Sequence, residues 1–272
     1  MRIVPLVVAT FLLLQTAAIA GEIREFKIQT LEKLGNEISR RDEIAAKASD
    51  VVLETQPAAR ALKLRGWISE LGKDEDKVHI ITETASGPCL AYTVSFAGSK
   101  KPVVEDRRGE SLPQNVAVRY KALQTTLVAL NGKLFDANYN YEVLDDPDGS
   151  GFLVYALAAT KNRDEQILGG HFRVTVSADG STAEQVDALS RGIIKEKPKM
   201  PAGAKQESIV ITQLVSDIPV ETFIYSSHLF QLPIYVGTMD KTVWRVVNGK
   251  IEKLDPKLMK EAEAKSEKKK KK

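Results

Sequence analysis

Few side chains in this sequence suit chemistry near neutral pH: three histidines, His79, His171 and His228, and one thiol, Cys89. His171 stands out among them. Gly169 and Gly170 precede it and permit a close backbone approach, and Arg173 follows two residues later, so on a strand the imidazole and the guanidinium share a face. Such a pair can hold an anion or stabilise a developing negative charge. The same residues also describe a solvated strand face behind a flexible glycine lead-in. Further on, Ser226-Ser227-His228 sets hydroxyls beside an imidazole. On a strand Ser226 shares the face of His228 and Ser227 does not. Nucleophilic hydrolysis also needs an orienting acid and oxyanion donors, and no Gly-x-Ser-x-Gly elbow occurs. His171, Arg173, Ser226 and His228 are therefore the candidate catalytic residues of a hydrolase that only the fold could assemble.

Metal and cofactor signals are weaker still. No pair of histidines has His-x-x-x-His spacing, and a single cysteine supplies no CxxC. Asp146-Pro147-Asp148-Gly149-Ser150-Gly151 opens like a calcium loop, but its twelfth position is Leu157 where a bidentate Glu belongs, and its seventh, Phe152, already starts a strand. The segment reads as a hairpin loop. Neither GxxxxGK[ST] nor GxGxxG is present, so no nucleotide, metal or other cofactor is implied. Cys89 reads as a small buried hydrophobe at the start of a strand over 89–96, with no cysteine to pair with.

The elements that must carry these residues follow from hydrophobic period. Residues 22–55 contain no proline, and Leu31, Leu34, Ile38, Ala45, Ala48 and Val52 form one stripe of a long helix, interrupted at Arg41 and stopped near Pro57. That stripe packs either on a sheet of the same chain or, as a coiled-coil seam, on a second copy. From Leu62 the period becomes two. Strands over 62–71, 78–82 and 89–96, joined by short turns, predict an antiparallel meander. A polar stretch, 99–114, reads as a linker or exposed loop. A second helix over 113–131 carries Val116, Tyr120, Leu123, Leu127 and Leu130 on one side, with Pro113 in its first turn and Gly132 as its cap.

Strands are then expected at 139–144, 152–159, 172–178 and 184–189. The second is apolar on both faces and so central, and the third points Phe172, Val174 and Val176 inward and His171, Arg173 and Thr175 outward. After a Lys/Pro-rich connection at 195–206, further strands are expected at 208–215, 220–226 and 233–237, with a hairpin of 243–247 and 250–254 around Asn248-Gly249. The fold class is α+β: a long N-terminal helix plus an antiparallel meander (21–110), then a second helix packed on a larger antiparallel sheet of about eight strands (111–256). The two parts form either two units or one domain.

Composition and charge set the outer limits. The chain has 272 residues, 43% hydrophobic and 28% charged, which excludes a wholly disordered, collagen-like or disulfide-stapled protein. The net charge of +3 is uneven: 257–272 holds eight lysines and three glutamates, and setting aside that +5 and Arg2 leaves the body at −3, with no electrostatic footprint for nucleic acid. Residues 1–20 have the pattern of a cleaved signal peptide: Arg2, an apolar run, then Ala18 and Ala20 ahead of the cut. The apolar run is shorter than the ~20 residues that span a bilayer. With a lone cysteine and no Asn-x-Ser/Thr sequon, the expected setting is a bacterial envelope, the periplasm first and the extracellular space second. The lysine-rich end reads as a disordered tail, either solubilising or a polybasic arm with weak affinity for anionic surfaces. The expected function is that of a non-enzymatic binding or accessory protein whose partner is an envelope protein or polymer, with the secreted hydrolase as the alternative.

Overall fold

The computed structural model describes residues 22–98, 100–160, 162, 165–197 and 206–255. The signal peptide and the lysine-rich tail read from the sequence lie outside these residues. Helix α1 (Ile28–Thr55) follows the stripe read above: Leu31, Leu34, Ile38, Ala45, Ala48 and Val52 are all buried, and Pro57 opens the short 3-10 turn that ends the run. The stripe is satisfied within the chain. Its upper half joins a core with the last sheet and the third helix, and its lower half, Ile44, Ala48 and Val52, joins the core of the first sheet. Arg41, the apparent interruption, is buried too. Its guanidinium holds Glu37 Oε1 at 2.7 and 3.0 Å and donates to the Ser69 carbonyl, so the polar head is neutralised while its stem packs.

Strands β1 (Leu64–Glu70), β2 (Asp76–Thr84), β3 (Gly87–Phe96) and β4 (Val103–Asp106) form one antiparallel sheet in that order. The meander is as expected, but β4 lies within the stretch read as loop: Val103 and Val104 pair with Ser95 and Val94. Four residues with a proline just ahead make an edge strand too short to register as alternation. Helix α2 (Gln114–Ala129) begins after Pro113, and Gly132 takes φ 73° just beyond its end. It covers the sheet β5 (Asn138–Asp145), β6 (Phe152–Ala159), β8 (Phe172–Val176) and β9 (Ala183–Ala188), which is antiparallel in the order β5-β6-β8-β9. β6 is buried on both faces, as its sequence requires. β7 (Gln166–Gly169) pairs with β10 (Ile193–Glu196) as a separate ribbon.

The largest departure lies after residue 206. β11 (Ile209–Thr212) and β12 (Ile234–Gly237) pair in parallel, and the segment read as a strand over 220–226 is the crossover helix α3 (Thr222–Phe230). A parallel pair cannot be closed by a tight turn, so this topology demands a crossover. Phe223, Ile224 and Tyr225 favour strands locally, and that preference yields to the crossover. α3 ends at Gln231 with φ 54°, ahead of Pro233. The hairpin β13 (Val243–Val247) and β14 (Lys250–Lys253) closes through Asn248 and Gly249 at φ 50° and 72°, the positive values a type I′ turn needs.

α3 crosses α1 at Gly35, where an added Cβ would stand 2.6 Å from both the Glu221 carbonyl oxygen and Ile224 Cβ. Gly35→Ala should improve helix propensity by somewhat under ~1 kcal/mol yet destabilise the protein by a net ~1–3 kcal/mol, because the two helices must separate. Urea unfolding of the variant measures this; a gain in stability would mean that the crossing is slack.

Candidate functional site

The register of the second sheet sets Glu142 opposite Tyr155, Tyr155 opposite Arg173, and Arg173 opposite Asp187. One polar row therefore crosses four strands on the face turned to α1 and α3, and every member is buried. Arg173 is its centre. Nε and Nη2 donate to Asp187 Oδ2 at 3.0 and 2.8 Å, Nη1 donates to Glu221 Oε1 at 2.7 Å, and Nη2 also reaches the Arg24 carbonyl. Tyr155 Oη donates to the same Glu221 oxygen at 2.8 Å. Burial alone would lower the Arg173 pKa, but Glu221, Tyr155 and Asp187 outweigh it and raise the value. Burial and the Glu221 charge push the Tyr155 phenol far up. The guanidinium stays charged and the phenol neutral, so this end of the row is a fixed ion-paired network that does not exchange protons near neutral pH.

The other end carries the titratable groups. Glu142 accepts from Trp67 Nε1 at 2.8 Å and Ser69 Oγ at 3.1 Å, and burial pushes its pKa up to about 8. Asp42, on α1, accepts from Asn140 Nδ2 at 3.1 Å and Tyr225 Oη at 3.2 Å, and burial raises its pKa as well. Asp42 and Tyr225 form the floor of an open cleft of about 650 Å³ between α1 and the end of α3. Asn36, Ser39 and Lys47 line one wall, and His228 and Leu229 line the other. His228 Nε2 lies 2.9 Å from Asn36 Oδ1, and Leu229 is 54% exposed at the rim. This mixed lining suits a partner that offers both polar and apolar groups.

The residues singled out from the sequence are arranged differently from their expected strand faces. His171 and Arg173 are buried, not outward, because α3 and residues 22–27 cover the face that the sequence left to solvent. The Ala158 amide donates to His171 Nδ1 at 3.0 Å, which leaves the proton on Nε2. Nε2 is buried without a partner, and the ring meets Tyr225 edge-on with centroids 5.9 Å apart. Burial lowers the His171 pKa to about 4, so the ring is neutral. Ser226 is buried on a helix, where it and His228 no longer share a face, and His228 is exposed. Among the described residues no hydrogen bond joins any two of these four candidates.

His79 Nε2 lies 2.9 Å from Glu70 and Nδ1 lies 3.1 Å from Thr93. The loop 146–151 is the β5–β6 hairpin, as read, and Arg24 holds the Asp146 carboxylate at 2.6 and 2.9 Å. Among the described residues no group of three His, Cys, Asp or Glu is placed to hold a metal ion. Cys89 is free and buried, so a thiol reagent should label it slowly in the native state and quickly in denaturant. Rapid native labelling would contradict that burial.

Sequence reasoning missed Arg24, Asp42, Glu142, Asp187 and Glu221. One signal was available at Glu142, a charged residue on a strand flanked by Tyr141, Val143 and Leu144, which needs a buried partner; Arg173, with His171 and Thr175 on its own face, carried no such signal. With this geometry in place, the class the fold defines is α+β, built on mostly antiparallel sheets with one parallel crossover. No protein-family model, curated protein or solved structure matches the chain. No helix among the described residues is long and apolar enough to cross a membrane.

Proposed function

We propose that the chain is an exported, non-enzymatic binding or accessory protein of the bacterial cell envelope, and that it holds its partner, an envelope protein or polymer, in the cleft between α1 and α3. The cleft carries this reading: it is open, mixed in lining, and floored by the Asp42–Tyr225 pair with an exposed leucine at its rim. The signal-peptide pattern of residues 1–20 and the mildly acidic body support the setting. The basic end would add weak affinity for anionic surfaces. A hydrolase built on His171 and His228 is disfavoured, since the first is sealed against Tyr225 and the second lies at the surface beside Asn36.

A photo-crosslinking residue at position 229, expressed in cells, tests the reading. The expected result is a discrete adduct in the envelope fraction, on protein that has lost its first 20 residues, and no adduct from the exposed position Met239 outside the cleft. Full-length protein confined to the cytoplasm, or adducts no stronger at 229 than at 239, would overturn it.

A further inference from the structure

Residues 22–27 enter neither helix nor strand, yet they cover the charged end of the polar row. Arg24 grips Asp146 through two nitrogens, with Asp148 3.6 Å away, and its backbone amide donates to Asp187 Oδ1 at 3.3 Å. Its carbonyl accepts from Arg173. Phe26 is 5% exposed, and the guanidinium carbons of Arg24 and Arg173 each lie 4.7 Å from its ring centroid. The segment is thus held by the Arg24 side chain and backbone, the Phe26 ring and the buried Ile23 side chain, without a β ladder.

What it covers has a defined chemistry. Without the segment, Asp146, Asp187 and Glu221 would face Arg173 alone, three carboxylates against one cation, and the slot now filled by Phe26 would open beside Leu31 and Val220. Glu221 Oε2 has no hydrogen-bond partner even with the segment seated, so the cradle retains unused acceptor capacity at its centre. An emptied cradle of this kind selects a cation followed two positions later by an aromatic ring on an extended backbone.

We propose that this cradle is a peptide-docking site, that residues 22–27 are its occupant in cis, and that an extended peptide with the Arg-x-Phe pattern on a partner protein displaces them. The site is separate from the α1–α3 cleft and does not depend on the envelope reading. Tethering makes the segment compete at an effective concentration on the order of millimolar. A free peptide making the same contacts should therefore bind the wild-type chain with an apparent Kd near millimolar, and bind much more tightly once the tethered segment is disabled.

The experiment uses a labelled peptide, Glu-Ile-Arg-Glu-Phe-Lys-Ile, which copies residues 22–28, and the full chain carrying Arg24→Ala and Phe26→Ala. Binding to the double variant at least tenfold tighter than to wild type, lost when the peptide's own Arg and Phe become Ala, is the expected result. Equal binding to both proteins, or no discrimination between the two peptides by a folded variant, would overturn the proposal. If the variant does not fold, amide hydrogen exchange of wild type decides. Millimolar peptide should speed exchange at residues 24–27 at least threefold while the Ala-substituted peptide leaves it unchanged, and identical exchange with both peptides would reject the site.

Discussion

Replacing Arg173 by Met should cost about 3–5 kcal/mol, a large share of a whole stability on the order of 5–15 kcal/mol. The size follows from what is left behind. Asp187 and Glu221 are both buried, and the guanidinium that neutralises them is fully enclosed, with Nε, Nη1 and Nη2 all engaged. Removing it strands two carboxylates in a medium that solvates them poorly. Arg173→Lys should recover only part of the loss, since one ammonium cannot reproduce a fork spanning Asp187, Glu221 and the Arg24 carbonyl. Adding Asp187→Asn and Glu221→Gln to the Met variant should restore most of the stability, because the penalty lies in the unpaired charges and not in the lost side chain. Urea unfolding at pH 7 measures all three proteins. A loss under about 1 kcal/mol for the Met variant would mean that water reaches the carboxylates.

This centre also marks the limit of what the sequence discloses. The α1 stripe, the first meander, α2 between Pro113 and Gly132, the central position of β6 and the Asn248-Gly249 hairpin were all readable, because each depends on local period or on turn chemistry set by one or two residues. β4 and α3 were not. A four-residue edge strand carries too little pattern, and α3 is helical because β11 and β12 pair in parallel, a fact held by residues 209–212 and 234–237 rather than by its own. The same argument applies to the polar row. That His171 and Arg173 share a sheet face was visible from spacing of two, but whether that face meets water depended on Glu221 from the crossover and Arg24 from the segment before α1, 48 residues after and 149 before Arg173. Burial of a charged residue is decided by its partners, and partners so distant in sequence leave no local trace.

The second large effect concerns pH. Glu142 keeps its proton in the folded chain until about pH 8, against about 4.5 when unfolded, because burial outweighs the donors Trp67 and Ser69 and the nearby Arg41, while Asp42 adds like charge. The folded state therefore holds a proton that the unfolded state has already lost. This contribution is fully present below about pH 4.5 and is lost as pH rises to about 8. His171 works in the opposite direction: its folded pKa of about 4 lies below the ordinary 6.5, so its contribution is lost as pH falls from 6.5 to about 4. The two slopes oppose one another between about pH 4.5 and 6.5 and leave wild-type stability nearly level there. Above that range His171 no longer opposes Glu142, and stability should decline towards pH 8. Glu142→Gln keeps a neutral group that still accepts from Trp67, so it should match wild type near pH 4.5 and become progressively more stable than wild type, by about tenfold in the folding equilibrium per pH unit, up to about pH 8. Glu142→Ala instead leaves the Trp67 and Ser69 donors unsatisfied, at about 1–3 kcal/mol each at any pH. Urea midpoints for the three proteins between pH 4 and 9 give the comparison. A constant offset between wild type and the Gln variant across that range would show that Glu142 is ionised in the folded chain, and the account of its burial would fall with it.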